Sequence, residues 1–182
     1  MVRQSRWFHV GAMALSLAIM VVAVAVAPWW WFRALAQLID EYGRAGGFVF
    51  LAVWAGVVVL HELSHGFAAR LAGSRVRYGA LMLRRVFPYA LYAHALDPLS
   101  RRSWFLVLLA PQVTVNALLL GLVLVDRAVW GMVALQVLMA LCGSSADAIC
   151  LIRVARSRAR WIQDSKQGLV AVTGRSPDRK EI

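Results

Sequence analysis

The sequence predicts an all-α membrane protein of about four transmembrane helices, with a small cytoplasmic-side β-hairpin between the second and third. Three observations carry this. Of 182 residues, 61% are hydrophobic, against roughly 45–50% in an ordinary soluble domain. The apolar residues collect in four runs, each near the roughly 20 residues that a helix needs to cross a bilayer. The basic residues, which set a formal net charge of +11, gather at the N-terminus, in one connection and in the tail. That is the distribution the positive-inside rule requires of cytoplasmic segments. So high a charge is the usual mark of nucleic-acid binding. Here it lies between and after apolar runs, so the lipid bilayer is the expected partner and nucleic acid is not.

The first run covers residues 7–32 and follows Arg3 and Arg6. "AVA" at 25–27 resembles a signal-peptide cleavage site. However, the apolar core is longer than a signal sequence uses, and Pro28 would follow the cut. "PWWWF" reads instead as an interfacial aromatic anchor, so a retained membrane helix is expected. The second run covers 46–71. The third covers 104–125, with Ser100 placed to cap it and Pro111 expected to kink it. The fourth covers 128–152, separated from the third only by Asp126 and Arg127, which requires a tight helical turn. Cys142 and Cys150 both fall in the fourth run; a helix would hold them about 12 Å apart, too far for a disulfide.

An even number of spans with both termini in the cytoplasm satisfies the charge rule throughout. It puts Arg70, Arg75, Arg77, Arg84, Arg85, Arg101 and Arg102 on the same side as the tail. The other connections are nearly balanced, with Arg33 and Arg44 set against Asp40 and Glu41. The expected location is the cell membrane, with residues 1–152 as the membrane domain and 153–182 as a basic cytoplasmic tail. That tail is read as polar, with one short strand near 169–172 and a disordered end. Between spans two and three, Val76, Tyr78, Ala80 and Met82 alternate with other residue types, as in a strand. After Arg84 and Arg85, a second extended run holds Phe87, Tyr89 and Leu91, and Pro88 confines it to a sheet edge. Together they predict the hairpin, about 75–94, which cannot face lipid.

The second run ends in "VVVLHELSHGFAAR", residues 57–70. Ionisable side chains in a membrane helix are costly and mark functional sites. His61 and His65 are four apart, so a helix places both imidazoles on one face, where they can share one zinc ion. Glu62 follows the first histidine and can act as a base on a water whose pKa zinc lowers toward about 7. This is the H-E-x-x-H arrangement of metalloproteases. A catalytic zinc takes a third protein ligand and keeps an open position. Asp147, in "CGSSADAIC", is the only carboxylate in the fourth run. If the two helices leave the membrane near Arg70 and Arg153, His61 and His65 lie about 8–14 Å inside and Asp147 about 9 Å inside. The levels agree. The competing reading is that Asp147 caps a kink near Gly143 or pairs with an arginine. His94, at the end of the hairpin, is a candidate for substrate or oxyanion contact, for zinc ligation, or for an interfacial histidine. Asn116 is a weaker candidate for substrate contact; helix–helix hydrogen bonding is its more usual role.

"HELSHGFAARLAG", "VRYGAL", "YAHALDPLS", "LLAPQVTVN" and "GSSADAI" occur in that order. Together they resemble the bacterial and archaeal membrane family described as putative zincin peptidases, over about residues 45–172. More distantly the chain is similar to the site-2 proteases, which cleave membrane-bound substrates inside the bilayer. The resemblance implies zinc ligation by His61 and His65, Glu62 as general base, and Asp147 as the remaining ligand. It departs from the site-2 proteases in lacking an Asn-Pro-Asp-Gly motif and a PDZ-like insertion. The expected function is a membrane-embedded zinc metalloprotease that hydrolyses peptide bonds in or near the membrane segments of a protein or peptide substrate. The rival is a non-catalytic scaffold or regulator that keeps a structural zinc site. Glu62 favours the enzyme, because a structural site would not require that carboxylate. Metal transport fits poorly, because the polar residues collect at one level rather than along several helices.

Overall fold

Pro28 decides the first departure from the expected spans. Its ring cannot continue a preceding helix, and it suits the first turn of a new one. The computed structural model, which describes residues 6–26, 28–83, 87–125, 129–164 and 169–172, accordingly has two helices where one span of 7–32 is expected. Helix α1 is Arg6–Val26 and α2 is Pro28–Tyr42. A 3-10 turn at Gly43–Ala45 leads directly into α3, Gly46–Leu71. Gly43 takes φ +53° there, a left-handed value that glycine adopts without a Cβ penalty. Strands β1, Val76–Leu83, and β2, Phe87–Ala95, follow. Then come β3, Leu99–Ser100, and α4, Arg101–Val125. Helix α5 is Trp130–Gly143 and α6 is Ser145–Arg156. Strands β4, Trp161–Gln163, and β5, Val170–Val172, complete the order. The expected turn at Asp126 and Arg127, the arginines at 3, 84 and 85, and the end of the tail from residue 173 lie outside the described residues.

Two segments are long and apolar enough to cross a membrane, Pro28–Leu71 and Arg101–Val125. A third is added if α5 and α6, which meet at a bend, make one crossing. The apolar part of α1, Val10–Ala23, is shorter. Of the four expected spans, two or three therefore meet this criterion. Their outer surfaces are apolar: Phe48 is 79% exposed, Leu124 77% and Val125 89%. Such faces are suited to lipid tails rather than water. The chain is thus mostly helical, with membrane-crossing helices and small sheets.

The chain divides into two compact units. One comprises Val10–His61 and Pro111–Ala146. Its apolar centre is Val57, Val115, Leu119 and Val133. Part-buried hydrogen bonds tie its helices together. The Gln136 amide donates to the Phe50 carbonyl at 3.0 Å, and the Gly131 N–H donates to Gln37 Oε1 at 3.1 Å. A Cβ on Gly131 would lie 2.6 Å from the Ala34 carbonyl oxygen, so only glycine lets α5 approach α2 so closely.

The other unit comprises Met1–His9, Glu62–Ala110 and Asp147–Ile182. Its core joins the end of α3, the end of β2, the start of α4, α6 and β4 through Ala69, Ala95, Leu99, Trp104, Val107, Leu108, Val154 and Ile162. Strands β1 and β2 pair antiparallel from Val76↔Ala95 to Leu83↔Phe87, with a bulge between Leu81 and Met82. Both strands of a two-stranded sheet are edges, which is where Pro88 is tolerated. Arg75 closes the open end of this sheet. Its backbone N–H donates to Asp97 Oδ2 at 2.7 Å, and its guanidinium grips both carboxylate oxygens, which raises the Arg75 pKa further. Ser100 caps α4 as expected, its Oγ accepting the Ser103 N–H at 3.1 Å.

The segment after α6 is more structured than a polar tail. Strand β5 falls at the strand expected near 169–172, and β4 is additional. It pairs with β3 on one side and β5 on the other. The Trp104 indole N–H donates to the Ile162 carbonyl at 2.8 Å, and Ile162 is 3% exposed. A strand of three residues has too few positions to display an alternation, so nothing in the local pattern announces β4.

Candidate metal centre

Helix α3 carries "HELSH" in its last three turns without a break. Its repeat of 3.6 residues puts His61 and His65 on one face, one turn apart. Asp147 comes from α6, where it sits in the first turn. That position follows from the break at Ser144. Gly143, Ser144 and Ser145 interrupt the apolar run, and Ser144 turns its hydroxyl back to the Ala140 carbonyl at 2.8 Å. The new helix starts at Ser145, and a carboxylate in its first turn is favoured by the positive end of the helix dipole. The kink near Gly143 that competed with metal ligation as an account of Asp147 is thus present, and it delivers Asp147 to the histidines. The ligand atoms of His61, His65 and Asp147 all lie within 4.8 Å of one another.

His65 is buried and engages at both ring nitrogens. Nδ1 lies 2.8 Å from the Val107 carbonyl oxygen. A carbonyl can only accept, so Nδ1 carries the hydrogen and donates. Nε2 then faces Asp147, whose Oδ2 is 3.2 Å away. Two electron-rich atoms at that distance require a proton or a cation between them. The group suits zinc. Imidazole nitrogens and a carboxylate oxygen are its ordinary ligands, and four-coordinate zinc separates its ligand atoms by about 3.3–3.4 Å given bonds of about 2.0–2.1 Å. The hydrogen bond from the second ring nitrogen to a carbonyl is also the usual support of a ligating histidine. Glu62 is half-buried beside His61 on α3.

Gly66, the next residue after His65, is buried against β1. A Cβ there would fall 2.1 Å from the Tyr78 hydroxyl oxygen, so the absence of a side chain is what lets the tyrosine lie on the helix. Arg70, one turn further along, stacks on the Tyr78 ring at 5.4 Å. Strand β1 is thereby seated on the end of α3 that carries the histidines.

His94 and Asn116 each have a hydrogen-bond partner outside the three-residue group. Opposed residues of an antiparallel pair share a sheet face, and successive residues alternate. Tyr78 opposes Ala93, so His94 points to the other face from the one lying on Gly66. There its Nδ1 meets Asp164 Oδ2 at 2.7 Å. The Asn116 amide donates to the Gln112 carbonyl one turn back at 2.7 Å, and Gln112 in turn bonds Ser144. Asn116 thus belongs to a link between α4 and α5. Sequence reasoning does not reach Val107, whose contribution is a backbone carbonyl without a side-chain signature. Nor does it reach Asp164, the partner of His94.

A family model described as putative zincin peptidase matches residues 54–161. No curated protein and no solved structure matches the chain. The match holds the whole of "HELSH" together with Val107 and Asp147, and it covers more than half of the chain. The description implies zinc and points to metallopeptidase activity. With the two histidines and the aspartate gathered in one group, the chain belongs to this family of putative zincin peptidases.

Proposed function

We propose that the chain is a membrane-embedded zinc peptidase that hydrolyses peptide bonds in or near the membrane segments of a protein or peptide substrate. The observation that carries this is the approach of His65 Nε2 to Asp147, with Nδ1 already committed to Val107. With Nδ1 committed, the position between Nε2 and the carboxylate oxygen takes a proton or a cation, and zinc fits there. His61, His65 and Asp147 are the proposed ligands and zinc the proposed metal. When bound there, zinc supplies Lewis acidity, lowering the pKa of water toward about 7 and drawing charge from a carbonyl oxygen.

The protein's own groups do the rest. Glu62 accepts a proton from water as the water oxygen bonds to the carbonyl carbon. It returns that proton to the amide nitrogen as the C–N bond breaks. The buried His65 and its backbone partner hold their positions without reorganising. The β1–β2 sheet has unpaired outer edges among the described residues. An extended substrate can add there as a further strand, which would unwind a helical segment before cleavage. The chain sits in the cell membrane with both termini in the cytoplasm, and its partners are the bilayer and that substrate.

Metal content measured beside peptide cleavage tests it. Glu62→Gln is expected to keep zinc and lose hydrolysis. Asp147→Ala is expected to lose most of the zinc. A Glu62→Gln protein that cleaves as fast as the parent would remove Glu62 as base, and full zinc retention by Asp147→Ala would remove it from the ligands.

A further inference from the structure

Pro111 lies inside α4, buried and four residues after Val107. In an α-helix the N–H of residue i bonds the carbonyl of residue i−4. Proline has no N–H, so the carbonyl that Pro111 leaves without its helical donor is that of Val107. The proline ring also presses on that carbonyl. Val107 is 4% exposed, so water does not replace the lost donor, and a buried backbone acceptor left alone is costly. The group that takes the vacancy is His65 Nδ1, at 2.8 Å. One missing hydrogen in α4 thus matches one ring hydrogen on α3.

We infer that Pro111 is a positioning residue of the metal centre: by withholding its N–H from Val107 it reserves that carbonyl for His65 and so fixes which imidazole nitrogen faces Asp147. Without a helical competitor, the carbonyl holds the hydrogen on Nδ1 and leaves Nε2 as the ligating atom. A helix former at 111 would supply an N–H to the same oxygen. The oxygen would then be shared, the ring less firmly oriented, and the Nε2–H tautomer, which cannot ligate through Nε2, more populated. This inference rests on zinc binding at His65 and not on peptidase activity.

The test is Pro111→Ala in the full chain. A proline that served only to bend or pack α4 would leave the tautomer of His65 alone. Removing it also restores the helical hydrogen bond that the ring denies α4, against the small void left by the ring. The expected result is different: a zinc Kd raised about 10-fold or more, within the 10- to 100-fold usual when the outer partner of a ligating histidine is lost. The helical circular dichroism and the thermal midpoint of the metal-free protein should hold or rise. In the metal-free parent, ring 15N shifts should place the His65 hydrogen on Nδ1; in the variant they should move toward the other tautomer. Unchanged zinc affinity together with an unchanged tautomer in Pro111→Ala would overturn the inference. If the variant does not fold, the parent decides alone, since a His65 ring without hydrogen on Nδ1 would overturn it equally. A parent that binds no zinc removes this inference and the proposed function together. A parent that binds zinc but cleaves nothing removes only the peptidase.

Discussion

Both ring nitrogens of His65 are engaged, one by a backbone carbonyl and the other by a carboxylate. At the residue scale this separates what the motif announces from what holds it. "HELSH" is legible because a spacing of four on a helix is a geometric statement, and because ionisable groups in an apolar run need a reason. Asp147 is legible by depth, since a lone carboxylate at the level of two histidines has few other uses. The Val107 carbonyl is hidden, though Pro111 four residues later is the trace it leaves in the sequence. His94 illustrates the opposite case. Its place at the end of the hairpin leaves substrate contact, ligation and an interfacial role open in the sequence, and strand alternation turns it to the face away from Gly66 and onto Asp164. Gly66 belongs at this scale too. Gly66→Ala is expected to destabilise the protein by about 1–3 kcal/mol, as overpacking does. Its methyl would fall on the Tyr78 hydroxyl. Tyr78→Leu should recover part of the loss in the double variant, and denaturation of the four proteins of that cycle checks the coupling.

At the scale of elements, breaks matter as much as helices. Pro28 begins α2 rather than lying within a span, and the Gly143–Ser145 stretch ends α5 so that Asp147 opens α6. Apolar content alone shows neither, because hydropathy is continuous across a break while backbone hydrogen bonding is not. The segment after α6 makes the same point. A stretch read as tail supplies β4, whose Ile162 enters the core of the unit that holds His65 and Asp147. Ile162→Ala is expected to cost about 2–5 kcal/mol, as large-to-small changes at buried positions do. The loss should appear as a lower thermal midpoint in detergent. A loss under about 1 kcal/mol, the range of surface changes, would mean that β4 is not part of the core.

For the whole molecule, the question is which way the helices thread. Arginines at both ends and in the connection that holds the sheet argue for a single cytoplasmic face. Reporter domains fused at the N- and C-termini are each expected to report the cytoplasm. A reporter exported at either end would reverse the proposed side of the sheet and of the substrate's approach. The candidate metal group draws on distant parts of the chain: His65 and Asp147 are 82 positions apart, and their contact is made within one unit.

Composition, charge placement and helical spacing by themselves determined that this is a membrane-associated helical chain with a histidine–glutamate motif on one helix and an aspartate at its level. Each of those is a local or one-dimensional property, readable from residue type and interval. Tertiary structure alone decided that Asp147 meets His65, that the Val107 carbonyl orients the imidazole, and that His94 turns to Asp164. Hydrogen-bond partners are chosen by which donors and acceptors remain without a partner once helices and strands have satisfied their own, and that remainder exists only in the folded chain.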